Sequence, residues 1–154
     1  MSFDLARQLE DRLRSVGHMW AQDLTAHRSE EIGRSPGETA RSVADFAFET
    51  ININRRISMR LRGETPPPLN GFPPNFGPCP EELLTPSNLA EAMRASVNEL
   101  ADAIGNPERE IPLPNGTATT AYAQAEFALL HMYYHLGQVN YVQTLYGDPE
   151  IHWE

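Results

Sequence analysis

His131 and His135 stand four residues apart in the run Glu126–Tyr141. That run reads as helix, so both imidazoles leave one side, about 6 Å apart along the axis. At this spacing two neutral imidazoles can share one metal ion; the plain alternative is a pair of hydrogen-bonded core histidines. The face carrying them continues through Gln124, Phe127, Ala128, Gln138, Val142 and Leu145. It is therefore expected to be mostly apolar, and polar groups on it need partners. A third ligand has to come from elsewhere in the chain.

Glu49 is the candidate. It falls inside the apolar stripe Phe46, Ile53, Ile57 and Leu61 of an earlier helical segment. An ionised carboxylate facing a core is costly unless a cation or several donors meet it, and an ion held by the two histidines would do so. The competing expectation puts Glu49 at the edge of the face, reaching water or Arg56. Asp45, one turn earlier, is a weaker substitute ligand. Asn52 and Arg56 follow Glu49 at helical spacing and either line the same cavity or sit on its rim, the rim being the simpler expectation for Arg56.

The remaining chemistry-bearing residues are less pointed. His18 falls off its helix's apolar stripe and is expected in solvent. His27 sits near that stripe at the helix end, where the dipole favours it, and His152 lies in the tail. Cys79, between Pro78 and Pro80, reads as an ordinary loop thiol, with no basic cluster to lower its pKa.

Four helices would position these groups. The first runs from about residue 2 to 26 on the stripe Leu5, Leu9, Leu13, Val16, Trp20 and Leu24. A turn at 33–37 leads to the second, starting near Thr39 or Ser42 and ending near Leu61. The third starts at Thr85-Pro86 and runs on Leu89, Met93, Val97, Leu100 and Ile104 to Gly105-Asn106-Pro107. A turn with a short extended piece near Asn115-Gly116 precedes the fourth, from about Thr120 to Tyr146. Between helices two and three, a proline-rich stretch from Gly63 to about Thr85 excludes regular helix. At about 3.3 Å per residue it can run the length of a helix of some 35 Å, so those helices can be parallel neighbours. Trp153 in the tail is expected to dock on the bundle or on a second subunit.

The 154 residues make one ordinary all-α domain, 1–154, with no repeat. No run reaches the roughly 18 apolar residues of a membrane span, and no export signal is read at the start, so a cytoplasmic location is expected. A net charge of −9 with no Lys/Arg block argues against nucleic acid and anionic membrane as partners. Exposed apolar residues on the outer sides of helices one and four would favour a symmetric homodimer.

With these features the chain resembles the DinB/YfiT-like family of bacterial metalloproteins. The fourth helix of that family carries His-x-x-x-His followed by Gly-Gln, as in His131-Met132-Tyr133-Tyr134-His135-Leu136-Gly137-Gln138. Its second helix carries a histidine after a segment similar to Arg41–Phe46; here that position is Glu49. The resemblance implies a four-helix bundle, up-down-down-up, with a long crossover between helices two and three. It also implies a metal set of Glu49, His131 and His135, compatible with Zn or Ni foremost and with Fe or Mn. Asn52, Tyr134 and Gln138 would hydrogen-bond the ligands or touch substrate. The implied activity is a metal-dependent S-transferase, with a low-molecular-weight thiol as cosubstrate and a small electrophilic molecule as substrate. A metal-dependent hydrolase and a non-catalytic, stress-associated metal-binding bundle are the alternatives. Peptidase chemistry is disfavoured, since no glutamate follows His131 directly.

Overall fold

The computed structural model of the chain describes residues 4–69 and 76–154. Within them lie α1 (Leu5–Ala26), α2 (Ser29–Ile32), α3 (Val43–Leu61), α4 (Pro86–Ala103) and α5 (Ala121–Leu145), a single 3-10 turn at Glu81–Leu83, and strands β1 (Glu110–Pro112) and β2 (Ala118–Thr120). The protein is thus predominantly helical. Part of the expected crossover, residues 70–75, lies outside the described residues.

Each long helix starts where a side-chain oxygen can take an orphan amide proton. Asp4 accepts from the Arg7 amide, Thr85 from Asn88 and Thr120 from Ala123. Ser42 and Asp45 cap α3 reciprocally, each side chain accepting from the other's backbone N–H. The ladder Glu110↔Thr120, Ile111↔Thr119, Pro112↔Ala118 forms the expected extended piece as a hairpin, turned at Gly116 with φ 81°. Arg109 ties the hairpin to α3 by donating to the Leu61 carbonyl at 2.6 Å. The short α2, capped by the pairing of Arg28 with Glu31, precedes the expected turn and was not anticipated.

Helices α1 and α3 each pack against both α4 and α5. The expected stripes of α1, α3 and α4 are buried, apart from half-buried Leu5. Gly17 permits a close approach of α1 to α4: a Cβ there would meet Val97 Cγ1 at 2.8 Å. The partners also give directions. Asn54 donates to Ser96 and Ser58 to the Glu99 carbonyl, so α3 and α4 advance together. Glu49 meets His131 and His135 while Arg60 meets Gln124, so α3 and α5 run in opposite directions. Met132, beside His131, fixes α5 in register: its carbonyl accepts from the buried indole of Trp20 at 3.1 Å and its sulfur from Asn54 at 3.8 Å.

One facing expectation needs correction. On α5, Phe127 and Leu145 are exposed, and the buried side is Ala121, Ala125, Ala128, Leu129, Met132, His135, Leu136, Val139, Val142 and Gln143. The helix is apolar almost all round, so its sequence carries no clear face. Phe127, Leu130, Tyr134, Tyr141 and Leu145 remain on its outside; α1 shows no exposed large apolar residue among those described. No helix is long and apolar enough to cross a membrane among the described residues.

Candidate metal site

Glu49 leaves α3 one turn after Asp45, and its carboxylate reaches across to α5. Oε1 lies 3.3 Å from His131 Nε2 and 3.2 Å from His135 Nε2. One ligand atom from each of the three residues lies within 4.8 Å of the others. His135 is buried, while Glu49 and His131 keep 14% side-chain exposure each, so the group is open on one side only. The other carboxylate oxygen, Oε2, takes a hydrogen bond and ion pair from Arg41 at 2.6 Å. The edge alternative for Glu49 therefore fails, and so does pairing with Arg56.

The proton inventory decides what this group can hold. Gln138 Nε2 donates to the Tyr134 hydroxyl at 3.4 Å, which leaves its Oε1 facing His135 Nδ1 at 2.6 Å. In this amide orientation the carbonyl oxygen accepts and His135 carries its proton on Nδ1; the turned amide would place it on Nε2, facing Glu49. With the proton on Nδ1, neutral His135 presents a bare Nε2 to the carboxylate. In that state two acceptors at 3.2 Å call for a positive centre between or beside them: a second proton on the ring, or a cation. His131 can donate its Nε2–H to Glu49, and its buried Nδ1 then has no partner among the described residues. Were His131 to ligate through Nε2, its proton would move to that unpartnered Nδ1, a cost that lowers affinity.

Burial pushes the Glu49 pKa up. The hydrogen bond and charge of Arg41, with the charge of His135 and the hydrogen bond from His131, outweigh that and hold the carboxyl below its usual range. Burial and the neighbouring His135 lower the His131 pKa, against the opposing pull of Glu49. Near neutral pH the site therefore offers an ionised carboxylate and a neutral His131, the forms in which both can ligate.

The group opens onto a cavity of about 970 Å³ whose walls include Arg41, Phe48, Arg56, Arg60, Phe76 and Phe127. Of the residues expected to assist, Tyr134 lines this cavity, its ring 4.9 Å from that of His135, and Gln138 binds His135 directly. Asn52 is not brought to the site. Its amide donates back to the Phe48 carbonyl at 2.7 Å, satisfying it within its own helix. Asp45 lines the cavity but spends its carboxylate on the Ser42 cap. Arg56, expected on the rim, is a wall residue.

The other titratable groups take structural parts. His18 is exposed. His27 donates Nδ1–H to the Asp23 carbonyl at 2.8 Å, and His152 bonds Asp148 at 2.8 Å. Trp153 docks on α1, its indole donating to the Asp23 carboxylate at 3.0 Å. Cys79 is buried, and burial, with Asp45 and Glu82 nearby, pushes its thiol up to about 11.

Arg41 was missed by sequence reasoning. It precedes the N-cap Ser42, so helical spacing from Glu49 does not reach it. Arg60 was missed too, although its position after 49, 53 and 56 puts it on the same face of α3. Comparisons with protein-family models, with curated proteins and with solved structures find no match for this chain.

Proposed function

We propose that Glu49, His131 and His135 hold one divalent transition-metal ion and that the adjoining cavity is the site of a thiol-dependent S-transfer to a small electrophilic molecule. The long helices α1, α3, α4 and α5 would then form an up-down-down-up bundle of the DinB/YfiT-like kind, with a carboxylate in place of one histidine. The observation that carries the reading is the convergence of one carboxylate oxygen on two ring nitrogens, in a pocket where the outer nitrogen of His135 is bonded to Gln138. A mixed N₂O set suits Zn or Ni, and also Fe or Mn.

The chemistry such an ion supplies is the acidification of a thiol, or of water, that reaches its open side. The chain supplies the rest. Gln138 bonds His135, Arg41 keeps Glu49 ionised, and Phe48, Phe76 and Phe127 give the cavity wall apolar surface. In the net reaction the thiol gives its proton to solvent and its sulfur bonds an electrophilic carbon. The leaving group departs with its electron pair. The thiol has to come from outside, because Cys79 is buried and almost wholly protonated at neutral pH.

The Arg41–Glu49 pair favours a second reading. It already neutralises the carboxylate, so a second proton on His135 would close the group as a metal-free polar cluster in a non-catalytic protein. Elemental analysis and zinc titration of protein purified without a histidine tag separate the two. Near one equivalent of bound metal supports the site; below about a tenth of an equivalent, with none taken up, leaves the proton-closed cluster. If metal is bound, turnover without added thiol would favour hydrolysis over transfer.

A further inference from the structure

Past the metal group, the cavity changes sign. Glu49, Ile53, Arg56 and Arg60 follow one another along α3 at steps of four, three and four, and all four side chains line the cavity. Arg56 is half-buried, and no carboxylate, carbonyl or hydroxyl among the described residues bonds it. Arg60 fares little better. One terminal nitrogen reaches Gln124 Oε1 at 3.4 Å, and its Nε is buried with no partner among the described residues.

Two neighbouring guanidiniums with no ion pair among the described residues are unexpected in a chain with 21 acidic residues and 12 basic ones. Burial and the repulsion of Arg60 both depress the Arg56 pKa, the direction a bound anion would oppose. Exposed cations would simply be hydrated. Half-buried cations on a cavity wall that also carries Ile53, Ile57, Phe48 and Phe127 are arranged to meet an anion whose body is apolar.

We infer that the cavity takes a small organic anion, its carboxylate or phosphate held by Arg56 and Arg60 and its apolar body lying toward the Glu49–His131–His135 group. The helical rise puts Arg56 about 10 Å and Arg60 about 16 Å along the axis from Glu49. A ligand spanning that distance presents its far end, and not its charged end, to the metal group. This assignment of substrate class rests on the proposed function only for what happens at that far end; the anion subsite stands on the arginines alone.

A matched pair of probes tests it on the full chain. The anion 8-anilinonaphthalene-1-sulfonate and the neutral N-phenyl-1-naphthylamine share an apolar body and differ in charge. Their dissociation constants are measured by fluorescence on metal-free protein in EDTA, for the wild type, for Arg56→Gln with Arg60→Gln, and for Arg56→Lys with Arg60→Lys. Circular dichroism first establishes that each variant is folded.

The expected result is anion binding at least ten-fold tighter than neutral binding in the wild type. The Gln variant should lose at least ten-fold for the anion and less than two-fold for the neutral probe, and the Lys variant should recover most of the loss. Equal affinity for the two probes, or unchanged anion affinity in the Gln variant, would overturn the inference. Displacement by 1-naphthaleneacetate against 1-naphthyl phosphate then tells which anion the subsite prefers. Because no metal is present, a failed zinc titration leaves this result standing, and a failed probe experiment leaves the metal site standing.

Discussion

Glu49 Oε1 lies 3.2 Å from Nε2 of His135, and the Nδ1–H that His135 gives to Gln138 leaves that nitrogen without a proton of its own when the ring is neutral. With the ring proton on Nδ1, the contact between residues 86 positions apart is attractive only if something positive joins it. A proton and a metal ion can each play that part, and substitutions around the ring separate them.

Gln138 sets the ring state, so it can be altered without touching a ligand atom. Gln138→Leu removes the acceptor for Nδ1–H, and zinc affinity should fall by about 10-fold to 100-fold. Gln138→Glu keeps an acceptor there and should hold affinity at or above the wild-type value. Competition with a chromophoric chelator measures both; equal losses in the two variants would mean that residue 138 does not orient the ring.

Arg41 and a bound cation compete for the same carboxylate. In metal-free protein, Arg41→Gln leaves a largely buried Glu49 without its ion partner. The cost should be about 1 kcal/mol, at the low end for such pairs because Arg41 is 44% exposed and screened by solvent. Saturating zinc should raise the melting temperature of this variant by more than that of the wild type, since the cation then replaces a missing partner. Equal increments would separate Glu49 from the metal.

Two pKa shifts make the metal-free protein lose stability in acid, in two windows. His131 titrates below its ordinary 6.5 in the folded state. As pH falls through 6.5 the unfolded chain therefore takes up a proton that the folded one refuses, and stability drops until folded His131 protonates as well. Glu49 is held below its ordinary 4.5; its contribution is present above that value and is lost as pH falls through the lower folded pKa. Urea midpoints between pH 8 and 3 should fall in both windows. His131→Gln should flatten the upper window and Glu49→Gln should make the lower one shallower, Glu31, Glu64 and Asp148 keeping the rest of it; unchanged profiles would contradict the assignment.

Cys79 should be nearly inert in the folded protein. With its pKa pushed up to about 11, thiolate at pH 8 is scarce, and burial restricts access. Reaction with a disulfide reagent should run at least about 100-fold slower than in urea-unfolded protein. A native rate close to the unfolded one would return Cys79 to consideration as a nucleophile.

The period of the apolar residues made α1, α3 and α4 legible in the sequence, and Ser42, Thr85 and Thr120 marked where helices begin. The same logic put Glu49, His131 and His135 together from three separate positions, because a carboxylate inside the Phe46–Leu61 stripe has few partners to choose from. It failed for the facing of α5, whose outside carries Leu130, Tyr141 and Leu145 and so has no polar side to orient it. It failed for Asn52 too, since a short amide on a helix can turn back onto its own Phe48 carbonyl. Arg41 could not be read at all: its approach to Glu49 depends on the bend of the chain into Ser42, which helical spacing does not describe.

Zinc titration of metal-free wild type against Glu49→Gln, followed by a competing chromophoric chelator, puts the central claim to the test most directly. The wild type should saturate at one equivalent, and the variant should bind at least ten-fold more weakly. No saturable uptake by the wild type, or an affinity that Glu49→Gln leaves unchanged, would contradict it.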